Sequence, residues 1–208
     1  MAPSKARENI LHKIGRALRE RVDIPFPQEE DFHIGFTGDN GDLQSRFSKE
    51  FTAHQGKLIT CAGKKDLLNN LGSLVAEKKW KNISCQHPAL LKDLQSAAFI
   101  NNVNGNEPEV GITDCECLVA RTGSVLLSTS QASGRTLPVS VPVHLVIATA
   151  NQLVFDINDA IKHIKKKYAE NFPSALFFAS GPSRTGDIER TLVIGVHGPV
   201  EVYILLVE

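Results

Sequence analysis

The sequence predicts an α/β protein with a mainly parallel, open sheet, helices on both of its faces and a separate N-terminal helix. Short apolar runs that are typical of strands alternate with helical segments of about ten to fifteen residues, as in strand–helix–strand units. The chain has 208 residues, enough for one sizeable core. We therefore expect an N-terminal helix and linker over residues 1–41 and a single α/β domain over residues 42–208.

The N-terminal region predicts an amphipathic helix over residues 5–22. Its apolar stripe consists of Ile10, Ile14, Leu18 and Val22, each four positions after the last. The opposite face is mainly basic and includes Lys13 and Arg16. Two interpretations stay open, namely a docking helix for a partner or an acidic surface, and a helix that packs on its own domain. Pro25, Pro27 and a cluster of Gly, Asp and Asn then predict a linker.

The remaining elements follow from apolar periodicity and from Gly and Pro breaks. Helices are expected over residues 42–54, 64–80, 88–94 and 156–170. Strands are expected over residues 57–61, 82–85, 98–101, 124–128, 145–149 and 176–179, with a helix or strand at 115–120 and a loop at 101–111. Two apolar runs near the end of the chain, residues 191–196 and 202–207, are expected to add an antiparallel edge.

Composition excludes several classes of protein. The formal net charge is zero, which argues against a nucleic-acid binder. No apolar run approaches the ~20 residues that a membrane-spanning helix needs, and the N-terminus lacks the apolar core of a signal peptide. The four cysteines form no disulfide framework. We therefore expect a cytoplasmic protein in a reducing compartment, without a membrane span.

A dense polar loop near the C-terminus is the strongest candidate for a site. Ser183 and Thr185 are each candidates to cap a short helix whose free amides attract an anion. Arg184 adds a planar, positively charged fork suited to a carboxylate or phosphate. Asp187 and Glu189 either orient that arginine or serve as acid and base. The loop therefore predicts a binding site for a small carboxylate or phosphate, with a capped turn as the plainer interpretation.

Histidines supply two further candidates. His197 lies between apolar runs near Gly195 and Gly198, so it is either a ligand-contacting acid/base residue or a histidine bonded to a backbone carbonyl. His144 precedes an apolar run and is more typical of a core histidine. In open α/β sheets, ligands bind at the carboxyl ends of strands. If the strands before the polar loop and before His197 are parallel neighbours, both loops open onto this same rim.

A tight polar turn formed by Thr122, Gly123 and Ser124 precedes another apolar run. Its hydroxyls and amides are suited to an oxyanion, although such turns are also common connectors. Arg135 either reaches the same anion or is a mobile loop arginine.

The remaining motifs are weaker. Cys115 and Cys117 form one pair without a second, so structural cysteines are expected rather than a zinc or iron–sulfur site. No metal site is predicted in this chain. It also lacks the glycine-rich nucleotide fingerprints and the nucleophile elbow of hydrolases.

These motifs resemble the lactate utilization protein C family (LutC/YkgG), whose core is the LUD domain. The carrying residues are Ala120-Arg121-Thr122-Gly123-Ser124, Pro142-Val143-His144, Ser180-Gly181-Pro182-Ser183-Arg184-Thr185-Gly186-Asp187-Ile188-Glu189 and Gly195-Val196-His197-Gly198-Pro199. The N-terminal helix also matches a family opening, so the resemblance covers almost the whole chain. It implies a fold similar to that of ribose-5-phosphate isomerase and coenzyme A transferases.

The resemblance also implies a role in the oxidation of L-lactate to pyruvate beside two partner proteins. One partner is cysteine-rich, and the other carries a LUD domain and iron–sulfur cluster motifs. Because this chain lacks cluster-binding cysteines, we expect no cofactor in it and iron–sulfur clusters in the partner. In this interpretation Arg184, helped by Ser183 and Thr185, holds a carboxylate, and Asp187 and His197 orient it or shuttle a proton.

Two alternative functions stay open. The first is a stand-alone enzyme that acts on a phosphorylated or acyl small molecule, where a nucleophile like that of coenzyme A transferases would have to be Glu116 or Glu189. The second is a non-catalytic assembly or regulatory protein that uses the basic N-terminal helix as its contact surface. Fold kinship alone is a weak basis for choosing among these functions.

Overall fold

The computed structural model describes residues 5–19, 41–96, 107–186 and 193–208. The chain divides into two compact units, Met1–Gly38 and Asp39–Glu208. The strand expected at 98–101 and the linker expected before residue 41 lie outside the described residues. None of the described helices is long and apolar enough to cross a membrane.

The bounds of the elements agree with most of the expected segments. The helices are α1 Lys5–Ala17, α2 Leu43–Ala53, α3 Lys64–Lys78, α4 Pro88–Ser96, α5 Leu137–Ser140 and α6 Ile157–Tyr168. The strands are β1 Lys57–Cys61, β2 Ile83–Cys85, β3 Val110–Thr113, β4 Cys117–Val119, β5 Ser124–Ser128, β6 Val143–Thr149, β7 Leu153–Val154, β8 Leu176–Ala179, β9 Arg184–Thr185, β10 Val193–Ile194 and β11 Glu201–Val207. Helix α1 belongs to the first unit, and every other described element belongs to the second.

Five parallel strands form the main sheet in the order β1-β11-β6-β3-β2, which confirms the α/β class. The expectation of an antiparallel edge at the end of the chain was wrong. Strand β11 instead lies inside the sheet, parallel to both β1 and β6. Its five consecutive buried residues, Val202 to Leu206, explain this position, because a continuous apolar run is typical of a strand covered on both faces.

A second sheet was not expected from the sequence. Its order is β7-β4-β5-β8, and β5 is antiparallel to both β4 and β8. Residues 115–120 therefore contribute a strand, and the loop expected at 101–111 gives way to β3 at Val110. Helix α6 covers the outer face of this sheet, where Ala160 and Ile164 pack on Val119 and Leu126.

The main sheet is covered on both faces, as expected. On one face, α3 and α4 pack on residues that include Leu145 and Leu205. On the other face, α2 and the second sheet pack on alternate residues of the same strands, such as Val146 and Ile204. This second face also carries α5, because Gly111 leaves room for the short helix there.

Carboxylate caps fix where two helices begin. Asp42 accepts hydrogen bonds from the backbone N–H groups of Gln44 and Ser45 at the start of α2. Asp156 caps α6 and is held by the Arg121 guanidinium, whose Nη2 lies 2.7 Å from Oδ1. A capping carboxylate of this kind stabilises a helix by about 1 kcal/mol.

Candidate functional site

The two candidate segments, the polar loop that begins at Ser180 and the histidine turn at residues 195–199, are joined through their backbones. The N–H of Ser183 donates to the carbonyl of Pro199 over 2.9 Å, and the N–H of Gly195 donates to the carbonyl of Ser183 over 2.9 Å. The two-residue strands β9 and β10 then pair in antiparallel register. The two sequence blocks therefore form one structural unit, although neither strand belongs to the main sheet.

Glycine is required where these two blocks touch. A Cβ atom on Gly198 would lie 2.9 Å from Cβ of Ser183, and one on Gly195 would lie 2.5 Å from Cγ2 of Val200. Gly195 also has a φ of +79°, a conformation that other residues rarely adopt. Gly198 is thus required by close packing against the polar loop, whereas Gly195 is required by its positive φ and by the nearby Val200.

The same loop is anchored to the end of α2. Gly181 has a φ of +75°, and a Cβ there would lie 2.2 Å from the carbonyl oxygen of His54. The Arg184 guanidinium donates from Nη2 to this same oxygen over 2.9 Å. The helix end therefore fixes the direction of the arginine, because its carbonyl lies next to the loop.

A cavity of about 330 Å³ lies between these loops and the main sheet. Its lining residues are Pro138, Val139, His144, Ala179, Ser180, Gly181, Pro182, Ser183, Arg184, His197, Gly198, Pro199 and Val202. Three of the predicted site residues, Ser183, Arg184 and His197, thus meet at one cavity. Of the described lining residues, Arg184 is the one with a permanent charge.

The position of the cavity in the fold differs from the expected rim. His144 and Val202 are register partners near the amino ends of β6 and β11, so the cavity opens at that end of the main sheet. The strand before the polar loop, β8, belongs to the second sheet and runs antiparallel to β5. The condition of parallel neighbouring strands is therefore not met, and the loop after β8 lies at the amino ends of β6 and β11 rather than at the carboxyl ends.

The expected short helix after the polar loop was also wrong within the described residues. Arg184 and Thr185 form strand β9 rather than the start of a helix, because they pair with Ile194 and Val193. Ser183 therefore does not cap a helix that begins at Arg184, whereas a capping role for Thr185 concerns residues beyond 186 that lie outside the described ones. Asp187 and Glu189 lie outside the described residues, and their role stays a prediction.

His144 forms part of the cavity floor. Its side chain is buried, and its Nε2 lies 2.9 Å from the Thr113 hydroxyl, which is itself fully buried. Burial lowers the pKa of His144 to about 4, so the imidazole is neutral at physiological pH. The sequence indicated a core histidine, and the structure agrees, yet the same residue also lines the cavity.

The turn formed by Thr122, Gly123 and Ser124 lies behind the cavity. Gly123 has a φ of +58°, and a Cβ there would lie 2.4 Å from the backbone nitrogen of Phe51 in α2. The Ser124 hydroxyl bonds to the Thr122 hydroxyl over 2.8 Å and to the Ser180 hydroxyl over 2.7 Å. These residues reach the cavity through Ser180, and their direct contact with an anion stays a prediction.

Two further predicted residues differ in position. Arg135 is exposed on the loop before α5 and is not among the residues that line the cavity. His197 is exposed at the mouth, where it also lines an adjoining groove of about 400 Å³ that runs along Val139 to Pro142. Arg135 therefore does not join the cavity with the other candidates, whereas His197 has direct access to both the solvent and the cavity.

Sequence reasoning gave little weight to Glu116, which forms a buried polar network. Its side chain is fully enclosed and accepts hydrogen bonds from Ser128, Tyr168 and Lys167 over 2.6, 2.6 and 2.7 Å. Burial alone would raise the pKa of Glu116, but these donors outweigh it and lower the pKa. A nucleophile like that of coenzyme A transferases needs an accessible carboxylate, and Glu116 does not provide one.

The cysteines have the character of core residues. All four are free and buried. Burial raises the pKa of Cys117 to about 12 and that of Cys115 well above its ordinary value, which disfavours the thiolate that binds metals. Across the described ranges, no group of three or more His, Cys, Asp or Glu residues is arranged to hold a metal ion.

A larger groove of about 540 Å³ lies elsewhere, at the start of α2. Its lining includes Asp42, Lys49 and Glu208, and Gln44 donates across it to Glu208 over 3.1 Å. Asp42 is already engaged as the cap of α2. Because the groove contains none of the predicted site residues, its greater size does not make it the better candidate.

The fold and the cavity together define an α/β protein in which loops at the edge of a parallel sheet enclose a small site with one arginine. The model of the LUD domain matches residues 101–207, more than half of the chain, and the protein therefore belongs to the LUD domain family. This confirms the resemblance found in the sequence.

Named relatives agree with this assignment. Lactate utilization protein C 1 of Bacillus mycoides is 27% identical over 96% of this chain and 94% of its own length. Lactate utilization protein C of Shouchella clausii is 36% identical, but over 48% of this chain and 44% of the relative. For several relatives of this name, the matched segment spans about half of the relative's own length.

A solved structure supports the fold. The crystal structure of a DUF162 family protein from Deinococcus radiodurans aligns with a TM-score of 0.58, covering 80% of this chain and 96% of that one. Sequence identity between the two is 12%, so the similarity concerns the fold alone.

Proposed function

We propose that this protein is a subunit of an L-lactate utilization system that oxidises lactate to pyruvate, and that its cavity binds a small carboxylate. The family membership and the names of the relatives support the metabolic role. The observation that carries the binding role is the meeting of Ser183, Arg184 and His197 at one cavity.

The chemistry of these three side chains suits a carboxylate. A guanidinium has five N–H donors in a planar fork, and Arg184 uses Nη2 on the carbonyl of His54. This bond orients the fork while its positive charge stays at the cavity. Ser183 adds a hydroxyl, and His197 adds an imidazole with access to solvent, which suits it to move a proton or to orient the bound anion.

We assign the electron-transfer chemistry to partner proteins that carry iron–sulfur clusters. Such clusters are held by sets of cysteine thiolates. In this chain Cys61 and Cys85 end separate strands of the main sheet, and Cys115 and Cys117 are buried around β4. This protein then shapes or supplies part of the carboxylate site, while a cysteine-rich protein and a second LUD-domain protein carry the electrons.

Affinity capture from lactate-grown cells of its own host tests the subunit role. The tagged full-length chain is purified under anaerobic conditions, and the eluate is examined for co-purifying proteins and for iron–sulfur absorbance. We expect a cysteine-rich, coloured partner to co-purify at a fixed ratio to the tagged chain. This partner should be absent when an unrelated tagged protein is captured in the same way. A colourless single chain in repeated anaerobic preparations would contradict the proposal.

A further inference from the structure

The cavity has a polar floor that the carboxylate-binding residues at its mouth do not account for. His144 is 2% exposed and lies between apolar lining residues such as Val139 and Val202. Its Nε2 is held by Thr113, which is 0% exposed, over 2.9 Å. This contact engages Nε2 and leaves the other ring nitrogen, Nδ1, for a further partner. Because His144 lines the cavity, this second ring nitrogen is available to a ligand there.

The character of this group restricts what it binds. Desolvation keeps the imidazole neutral, so one ring nitrogen donates and the other accepts. A neutral imidazole bonds well to an uncharged hydroxyl or carbonyl oxygen, whereas a carboxylate gains more from the guanidinium of Arg184. The two ends of the site thus differ in charge, with the cation at the mouth and the neutral group on the floor.

We propose that His144 recognises the oxygen on C2 of a 2-hydroxy- or 2-oxocarboxylate whose carboxylate is held at the mouth by Arg184. This inference rests on the proposed carboxylate site and adds its specificity. It makes His144 the residue that distinguishes such acids from plain carboxylates of the same size. Thr113 is a positioning residue, because its hydroxyl fixes the ring.

The size of the cavity agrees with this arrangement. At about 30 Å³ for each water molecule, a cavity of about 330 Å³ holds roughly eleven waters, which is ample for a three-carbon acid. An acid of this size therefore fits in the cavity that Arg184 and His144 both line, with water or a partner segment filling the remaining space.

A comparison of L-lactate, pyruvate and propionate tests the inference. Propionate keeps the carboxylate and the three-carbon chain but lacks the C2 oxygen. Each acid is titrated into the full-length protein, and binding is followed by NMR of ¹⁵N-labelled histidine rings. We expect the wild-type protein to bind lactate or pyruvate at least about tenfold more tightly than propionate, because propionate would leave the polar group of His144 without a partner. We expect the His144 ring signals to shift with lactate or pyruvate alone.

Variants separate a role in recognition from a role in structure. His144→Leu should abolish the preference for the C2 oxygen while keeping propionate binding, and His144→Gln should restore part of it. Thr113→Val should weaken the preference without changing propionate affinity. If His144→Leu does not fold, the inference is still tested by two properties of the wild-type protein, namely the His144 ring shifts and the ratio of lactate to propionate affinity.

The outcomes distinguish this inference from the function on which it rests. Equal binding of propionate and lactate by the wild-type protein would overturn the role of His144 and leave the carboxylate site standing. An unchanged preference in His144→Leu would do the same. Binding of none of the three acids would overturn both proposals.

Discussion

The backbone N–H of Ser183 donates to the carbonyl oxygen of Pro199 over 2.9 Å. This bond joins the polar loop that follows β8 to the histidine turn that follows β10. It holds the arginine loop against the histidine turn. The mouth of the cavity is therefore built by backbone contacts, and the side chains of Arg184 and His197 are positioned by them. Loss of this contact should impair the site before it unfolds the core.

Gly198→Ala tests the contact between the two loops. The new Cβ would lie 2.9 Å from Cβ of Ser183, so the turn must move or the loop must yield. We expect a loss of about 1–3 kcal/mol in the free energy of unfolding, together with weaker carboxylate binding. Urea denaturation measures the first effect. Gly186→Ala is the matched control, because no atom of the described residues lies within 4 Å of its Cβ position. Equal effects of the two variants would contradict the prediction.

Gly181→Ala tests the anchorage of the loop on α2. Gly181 combines a φ of +75° with a Cβ position 2.2 Å from the carbonyl oxygen of His54. Gly134 has a φ of +56°, but its Cβ position has no neighbour within 4 Å in the part of the chain that the structure describes, so Gly134→Ala isolates the backbone strain. We expect Gly134→Ala to cost about 1 kcal/mol in the free energy of unfolding and Gly181→Ala clearly more. A smaller effect at Gly181 would show that α2 does not hold the loop.

The neutral His144 predicts a specific pH dependence of stability. Its pKa is lowered from the ordinary 6.5 to about 4 by burial. The unfolded chain binds a proton between these values that the folded chain does not, so the free energy of unfolding rises with pH through this window. The contribution, up to about 3 kcal/mol, is complete above the unfolded pKa and is lost as the pH falls toward the folded pKa.

Denaturation at a series of pH values checks this expectation. His144→Gln should flatten the slope between the two pKa values, whereas the control His163→Gln, at an exposed position of α6, should leave it unchanged. A slope that His144→Gln does not alter would mean that the imidazole is protonated in the folded protein or does not titrate in this range.

Glu116→Ala tests the buried network at the end of β5. The substitution leaves the hydroxyls of Ser128 and Tyr168 and the ammonium of Lys167 without their acceptor. We expect a loss of about 1–3 kcal/mol in the free energy of unfolding, because the buried hydroxyl of Ser128 loses its acceptor. The ammonium of Lys167, whose side chain is 48% exposed, can bond to water instead. The exposed Glu77 of α3 provides the control variant Glu77→Ala. If both variants lose the same stability, the network has no special role.

Much of the fold could be predicted from local signals along the chain. Helix α2 begins after Asp42 and α6 after Asp156, where capping carboxylates precede apolar periodicity. The interior position of β11 did not follow, because it depends on pairing with β1 and β6, which are distant in sequence. The second sheet was missed although β4 and β5 form a local hairpin, because its other pairs, β5 with β8 and β4 with β7, join distant segments.

The candidate site was only partly accessible to sequence reasoning. The residue types of Ser183, Arg184 and His197 indicated anion chemistry, and the structure brings them together. The floor residue His144 was recognised as buried, but burial and access to a cavity give the same apolar pattern in sequence. Its pairing with Thr113, the residue that ends β3, requires the register of two strands and could not be deduced.

Lactate-dependent reduction of an artificial electron acceptor by the assembled complex tests the central claim most directly. Complexes are prepared with the wild-type chain, with Arg184→Ala and with Arg135→Ala, whose exposed side chain lies outside the cavity. We predict that Arg184→Ala raises the lactate concentration needed for half-maximal rate by about tenfold or more, with partner proteins still bound, and that Arg135→Ala resembles the wild type. Unchanged lactate dependence with Arg184→Ala in an intact complex would contradict a carboxylate site at this cavity.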